Sequence, residues 1–392
     1  MVNKTRVLIM GSGKMAIASA LDLEKDQKVE RITLTGRDQR SLENSRKKAK
    51  TEKIDAVKVD CTDISSISLM KKYDVGIGAL PHSASVPALK NAIKAGLSVV
   101  DMVFEEEQWD LDGDAKKAGV TIIPGFGVHP GIAGAFVGHA YNELDKTERV
   151  FIRCGGLPEP SVLPNSPLNH RTAFNIYSAL GEYAKEAQVI EDGKLRTVEP
   201  MTEIEKIHHP KLGDMECFIT GTGATLLRTL KGVREFKSKT IRWPGNVNSM
   251  KLLVDCGLLS DEEMEIHGMK ITPKEMFISI IQPKFILGEG KKELTYLEVD
   301  VEGYRGNVLK KYRYELLDYY DEKEGLTSMA RTTGYPPAIA ARMIADRQIE
   351  QKGVVPPEKI FIGEKFEHLM RELSKRGISI ETKQTSIEER KF

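Results

Sequence analysis

Between residues 5 and 124, six short apolar runs alternate with five stretches of helix length. The runs are Val7–Met10, Ile32–Thr35, Val57–Val59, Val75–Leu80, Ser98–Asp101 and Thr121–Pro124. Between them lie Lys14–Lys25, Gln39–Lys50, Ile64–Lys72, Ser83–Ala95 and Glu105–Gly119. Neighbouring strands joined by helix-length crossovers run parallel, and the helices cover both faces of their sheet. Strands buried on both faces read as continuous apolar runs, as these do. The pattern predicts an α/β doubly wound parallel sheet over residues 1–126.

The first crossover carries a glycine loop. Thr5–Met10 leads into Gly11, Ser12, Gly13, Lys14, Met15 and Ala16, and a helical stretch and a second apolar run follow. In this Rossmann layout the first glycine permits a tight turn and the second lets the backbone approach a pyrophosphate. A small residue then allows close helix–strand packing. The helix N-terminus offers unpaired N–H groups and the positive end of its dipole to the phosphates. The second run ends in Gly36-Arg37, where a carboxylate would stand if the ribose 2′-OH had to remain free of phosphate. A guanidinium there can grip a 2′-phosphate, and Gly36 leaves room for it. This favours NADP, with NAD as the alternative. The competing reading makes Arg37 a solvated loop residue and gives the ribose to Asp38. Asp60 and Cys61 after the third run, Ala79-Leu80-Pro81 after the fourth and Met102 after the fifth are the further candidates for the cofactor's path.

At 392 residues the chain is long enough for more than one core. Its pattern changes at Gly125-Phe-Gly-Val-His-Pro-Gly131, read as a hinge loop entering a closely packed helix. Beyond Val150 the alternation is irregular, with strand-like Val150–Arg153, Lys239–Trp243 and an antiparallel pair at Lys291–Val301 and Val308–Leu317. We expect an α+β substrate-binding and dimerisation domain with an open mixed sheet over 127–330. Helical patterns at Pro336–Asp346 and Glu364–Arg376 suggest that residues 331–392 return to the first domain, and Glu388–Phe392 reads as a solvated tail.

A net charge of +1 gives no broad basic field for nucleic acid or anionic lipid. No apolar run reaches the roughly 20 residues that span a bilayer. Residues 1–6 run straight into the first strand, so no secretory signal is expected. The four cysteines are far apart and suit neither a metal site nor a disulfide framework. The expectation is a cytoplasmic protein with reduced thiols, no resident metal and a small-molecule substrate.

Chemistry is expected beyond the strand ends. His82, Asp101 and His129 are the candidate catalytic groups there, Asp101 and His129 also as substrate contacts, and Glu105–Glu107 lie nearby in sequence. Asp101 ends a buried strand, so a structural capping role competes with a catalytic one.

Several further strings stand out: Cys154-Gly-Gly-Leu-Pro-Glu-Pro160, Asn165-Ser-Pro-Leu-Asn169, Thr240-Ile-Arg-Trp243 with Gly245, and Met250-Lys-Leu-Leu-Val-Asp-Cys-Gly-Leu-Leu259. Together with Gly11–Ala16, Val128–Gly131 and Thr333-Gly-Tyr-Pro336, in order along almost the whole chain, they resemble the saccharopine dehydrogenase family and within it the lysine 6-dehydrogenase branch. The resemblance implies a split Rossmann domain, a substrate domain, a homodimer, and hydride transfer at a C–N bond of lysine-derived amino acids. It implies that Arg242 contacts the amino-acid substrate, with Cys154 and Gly155 beside it; read alone, Arg242 could equally be a strand arginine on a solvent face. Two departures bear on the substrate. The glutamate-forming saccharopine enzymes have an acidic residue where His129 stands. They also carry an arginine for the glutarate part in the segment matching Phe218–Thr225, which here has no cation. Against the NAD-using members of the lysine branch, Gly36-Arg37 replaces an acidic strand end. Lysine or a lysine-derived amine is therefore the expected substrate. A saccharopine or carboxynorspermidine-type reductase, or a non-catalytic dinucleotide-binding regulator, are the alternatives.

An amine can push electrons toward a breaking C–H bond only after its nitrogen has lost a proton. A general base tuned near neutrality would serve, and histidine needs little tuning.

Overall fold

The computed structural model describes residues 4–163, 166–221, 223, 225–288 and 290–388. In chain order the elements begin β1 (Thr5–Met10), α1 (Lys14–Leu23), β2 (Val29–Gly36), α2 (Gln39–Lys47), β3 (Ile54–Lys58), α3 (Ile67–Met70), β4 (Val75–Gly78), α4 (His82–Ala95), β5 (Val99–Asp101), α5 (Asp112–Lys117), β6 (Thr121–Ile123) and α6 (Ile132–Asn142). They continue with β7 (Lys146–Pro158), α7 (Ile176–Ala184), β8 (Ala187–Glu191), β9 (Lys194–Val198), β10 (Glu205–His209), β11 (Gly213–Ile219), α8 (Leu226–Thr229), β12 (Glu235–Arg242), α9 (Asn246–Asp255), β13 (Met264–Ile266), β14 (Met269–Ile271) and α10 (Pro273–Phe285). The last are β15 (Glu293–Arg305), β16 (Val308–Tyr319), α11 (Ser328–Ala345), β17 (Gly353–Val354), α12 (Pro357–Ile360), α13 (Glu364–Lys375) and β18 (Ile380–Glu388).

These elements form two units. Unit 1 comprises Met1–Glu143, Ala224–Leu226 and Ala330–Ile378. Unit 2 comprises Leu144–Gly223, Leu227–Met329 and Ser379–Phe392. The boundary expected at 126/127 lies inside unit 1, because the 125–131 loop and α6 pack there. The small residues of α6 explain this: a Cβ at Gly138 would stand 2.4 Å from the carbonyl oxygen of Glu358, so only glycine lets α12 come so close. The segment 331–392 also divides. Residues up to Ile378 belong to unit 1, whereas β18 joins the sheet of unit 2. Residues 389–392 of the expected solvated tail lie outside the described residues.

In unit 1 the sheet order is β17-β6-β5-β4-β1-β2-β3, all parallel. The six predicted runs are six of its strands, and the two-residue β17 adds a seventh. Strand β1 is buried from Val7 to Met10 and is flanked by β2 on one side and β4 on the other. The chain order reverses there, which opens a crevice at the C-terminal ends of β1 and β4. Helix α1 is buried along Ala16–Leu23. Ser19 Oγ donates to the Gly334 carbonyl at 2.6 Å, tying α11 onto α1.

Unit 2 is a nine-stranded mixed sheet. Its main path runs β10-β11-β12-β7-β15-β16-β18, with β8 paired to β12 and β9 to β8. Only β12 and β7 are parallel neighbours; the other pairs of this sheet are antiparallel. The expected antiparallel pair is β15 and β16, in continuous register from Leu294↔Tyr319 to Arg305↔Val308. Helices α7, α9 and α10 close one core of this unit, around Leu180, Tyr183, Phe218, Met250, Ile281 and Phe285.

Candidate functional site

The nucleotide end of unit 1 is built at the β1–α1 turn. Gly11 has φ +133°, and a Cβ there would sit 2.4 Å from the Ala79 carbonyl oxygen, so no other residue fits. Gly13 is exposed, with open space where a Cβ would be, and forms the N-cap of α1 without a side-chain cap. The first N–H groups of α1 therefore face outward for an anion. Lys14 is exposed beside them, Met15 is half-buried and Ala16 is fully buried against the sheet. Ser12 is pinned by α2: its hydroxyl lies 2.9 Å from that of Ser41, and its carbonyl accepts from Ser41 Oγ and Ser45 Oγ at 3.1 Å each. This serine clamp was not read from the sequence, because it joins the glycine loop to residues about 30 positions away.

The end of β2 carries both candidates for the ribose contact. Asp38 is the N-cap of α2, and its carboxylate accepts from Ser41 N at 2.9 Å and Arg40 N at 3.4 Å. That carboxylate is committed to the helix. The Arg37 side chain is 80% exposed, and its nearest anion is Asp60, at 3.9 Å. Asp60 itself accepts from the backbone and hydroxyl of Thr62, which hold its carboxyl below the usual range. Cys61 is buried, with its thiol 3.1 Å from Thr35 Oγ1, so its side chain is not offered to a ligand. Ala79 and Leu80 are half-buried and Pro81 exposed after β4, while Met102 is buried after β5. A glycine cradle, an open helix N-terminus and an exposed guanidinium together fit a dinucleotide with a 2′-phosphate.

The three candidate acid–base groups occupy different settings. His82 is exposed at the first turn of α4, with Nδ1 hydrogen-bonded to the Glu105 carboxylate. Asp101 is 1% exposed. It accepts from Ser85 Oγ at 2.5 Å, Gln108 Nε2 at 3.0 Å and Val103 N at 3.2 Å. Burial pushes its carboxyl up to about 6, against the pull of those three donors. Such full satisfaction is the signature of a strand-end cap. His129 is half-buried by solvent exposure and lies in the loop before α6. Desolvation lowers its pKa to about 4, so the ring is neutral at pH 7.

Unit 2 holds a second polar centre, around Arg242 at the end of β12. The guanidinium is 3% exposed, so this is not a strand arginine on a solvent face. Nε donates to Tyr183 Oη at 2.7 Å, Nη1 to the Ile241 carbonyl at 2.9 Å and Nη2 to Glu182 Oε2 at 2.8 Å. Tyr183 Oη in turn donates to Asn246 Oδ1 at 2.9 Å. Cys154 faces the same group, and burial with Glu182 close by pushes its thiol up to about 12. Gly155 is the next residue of β7, paired with Tyr296 of β15. Glu182, Tyr183, Asn246 and the buried His170 were not singled out from sequence, since only folding brings α7, α9 and the 170 loop to β12. Of the strings that carried the resemblance, Asn165, and Thr222 and Ala224 within Phe218–Thr225, lie outside the described residues.

Residues 7–123 match the model of the saccharopine dehydrogenase NADP binding domain, and residues 127–378 match that of the saccharopine dehydrogenase C-terminal domain. The chain belongs to the saccharopine dehydrogenase family. It is an NADP-binding oxidoreductase of that family. Saccharopine dehydrogenase [NADP(+), L-glutamate-forming] of Saccharomyces cerevisiae is 26% identical, over 96% of this chain and 98% of the yeast protein. Carboxyaminopropylagmatine dehydrogenase of Synechocystis is 22% identical, over 91% and 92%. Carboxynorspermidine synthase of Vibrio cholerae is 23% identical, over 80% of each chain. The solved structure of apo saccharopine dehydrogenase (L-Glu forming) from Saccharomyces cerevisiae superposes with a TM-score of 0.80 at 22% identity, over 97% of this chain and all of that one, and shows the shared fold. Among the described residues, no helix is long and apolar enough to cross a membrane.

Proposed function

We propose that this family member moves a hydride between NADP(H) and the carbon of a C–N bond in lysine or a lysine-derived amino acid. The observation that carries this reading is the buried guanidinium of Arg242. Three of its five N–H groups have partners, and among the described residues the other two have none. A pre-oriented fork with two N–H groups to spare, in a family of amino-acid oxidoreductases, suits a substrate carboxylate.

Gly11, Ser12, Gly13 and Lys14 with the start of α1 take the pyrophosphate, and Gly36 and Arg37 take the 2′-phosphate. NADP, when bound, supplies the acceptor or donor of the hydride. In the oxidative direction the amine nitrogen gives one proton to His129, its lone pair forms the C=N bond, and the carbon loses its hydride. Water then adds to the imine and the C–N bond breaks, releasing the aldehyde and, as the nitrogen product, ammonia from lysine or glutamate from saccharopine. His129 is the proposed base because its ring is already neutral. Asp101 is assigned to capping β5, and His82, oriented by Glu105, is the proposed second proton carrier. Arg242 takes the carboxylate, with Cys154 and Gly155 beside it. The proposal includes a homodimer, checked by light scattering of the purified chain.

A second reading has its own support. Both yeast saccharopine dehydrogenase and Vibrio carboxynorspermidine synthase match over four-fifths of this chain or more. A reductase that joins an aldehyde to an amine would use the same groups in reverse.

The isotope balance tests the proposal. With L-lysine or L-saccharopine deuterated at the lysine ε-carbon, the label should appear in NADPH. Reduced cofactor without label would refute hydride transfer from that carbon.

A further inference from the structure

His170 is a buried side chain of unit 2 with both of its polar atoms unmet among the described residues. It is 1% exposed. Among the described residues neither ring nitrogen has a hydrogen-bond partner. Burial, reinforced by the nearby charge of Arg242, holds its pKa well below the usual range. The ring is therefore neutral, with one nitrogen a donor and the other an acceptor. Buried polar atoms without partners are rare and call for a ligand or a water.

The chain is bent to put that ring where it is. Leu168 and Asn169 have φ of 61° and 47°, a left-handed turn that a leucine adopts only when its surroundings enforce it. Asn246 Nδ2 donates to the Leu168 carbonyl at 2.7 Å, and Asn169 Nδ2 donates to the Pro244 carbonyl at 3.2 Å. On the other side Thr172 N donates to the Phe285 carbonyl at 2.8 Å. The ring meets Phe285 edge to face, with centroids 5.4 Å apart. Asn246 also accepts from Tyr183, the partner of Arg242, so one asparagine fixes the positions of both the histidine loop and the arginine.

We propose that His170 is a substrate-binding residue that selects for an amino-acid head group, its ring N–H donating to the carboxylate held by Arg242. The proposal rests on the reading that Arg242 takes a substrate carboxylate. A neutral imidazole adds a directional donor there without setting a second cation against the guanidinium. Substrates without a carboxylate would leave these buried donors unpaired, and sites of that kind discriminate strongly against the analogue that lacks the group. Lysine would thus be accepted and its carboxyl-free counterpart cadaverine refused.

The test uses the full chain loaded with NADP and labelled with 15N-histidine. The His170 ring signals are assigned by their loss in His170→Gln. We expect them to move on titration with L-lysine or L-saccharopine and to stay put with cadaverine. His170→Phe should weaken binding of the responding amino acid at least tenfold, with NADP affinity unchanged and partial recovery in His170→Gln. No movement with either amino acid, equal movement with cadaverine, or unchanged affinity in His170→Phe would each overturn the proposal. If Arg242→Lys loses the amino acid while both His170 variants keep it, this inference alone fails. If the unmodified protein binds neither amino acid, the reading of Arg242 fails with it.

Discussion

Glu182 Oε2 accepts a 2.8 Å hydrogen bond from Nη2 of Arg242, and the same oxygen lies 3.3 Å from Thr240 Oγ1. The guanidinium is 3% exposed and the carboxylate 22%, so the pair is a buried cation whose counter-ion reaches toward solvent. Taking one partner from a buried pair leaves the other uncompensated, at a cost of about 3–5 kcal/mol. Glu182→Gln keeps an acceptor but loses the charge, so we expect a smaller loss, about 1–3 kcal/mol. Urea unfolding at neutral pH checks this. Arg242→Lys keeps the charge and loses the fork, and should raise KM for the amino-acid substrate at least tenfold with kcat within a few-fold. A fall in kcat at constant KM would count against a binding role.

Arg37 makes one distant ion-pair contact and is largely in solvent, so the fold does not need it. Arg37→Asp should leave thermal stability unchanged and weaken NADP at least tenfold, about 1.4 kcal/mol, relative to NAD. Fluorescence titration with each cofactor measures the ratio. Equal losses for both would remove Arg37 from the 2′-phosphate.

Asp38 gives the opposite expectation. As the N-cap of α2 it should cost about 1 kcal/mol when replaced by Ala. Its loss should leave the ratio of NADP to NAD affinity where it was. A change in that ratio would return the ribose to Asp38.

Two titratable groups, His129 and Asp101, pull stability in opposite directions with pH. His129 has a folded pKa of about 4, against an ordinary 6.5. The unfolded chain takes up this proton first, so the contribution is present above about 6.5 and is lost as pH falls toward about 4. Asp101 has a folded pKa of about 6, against an ordinary 3.8. Its contribution is present below about 3.8 and is lost as pH rises toward about 6. His129→Phe should therefore flatten the stability profile on the acid side. The same values separate the candidate bases. If His129 accepts the proton, kcat/KM of the free enzyme should fall with an acid limb near 4; a limb near 6 would point to Asp101 instead.

The doubly wound sheet was legible because strands covered on both faces leave uninterrupted apolar runs, and β1, β4 and β5 are buried throughout their cores. The two-residue β17 carries no such signal, and β18, exposed on nearly every residue, reads like a tail. The close approach of α6 to α12 was not legible, because Gly138 meets Glu358 more than 200 residues further on. The cofactor end was readable because its groups lie close together along β1–α1–β2. The Arg242 centre was readable only at the arginine. Glu182 and Tyr183 reach it from α7, Asn246 from α9 and His170 from a loop, and no local pattern marks any of them.

The most direct test of the account is a matrix of NADP and NAD against L-lysine, L-saccharopine and diamine-derived imines, followed by the absorbance of the reduced nicotinamide. We predict turnover with a lysine-type amino acid, faster with NADP than with NAD, and abolished or much reduced in His129→Ala without loss of NADPH binding. No change of cofactor redox state in any cell of the matrix, or turnover confined to NAD, would contradict it.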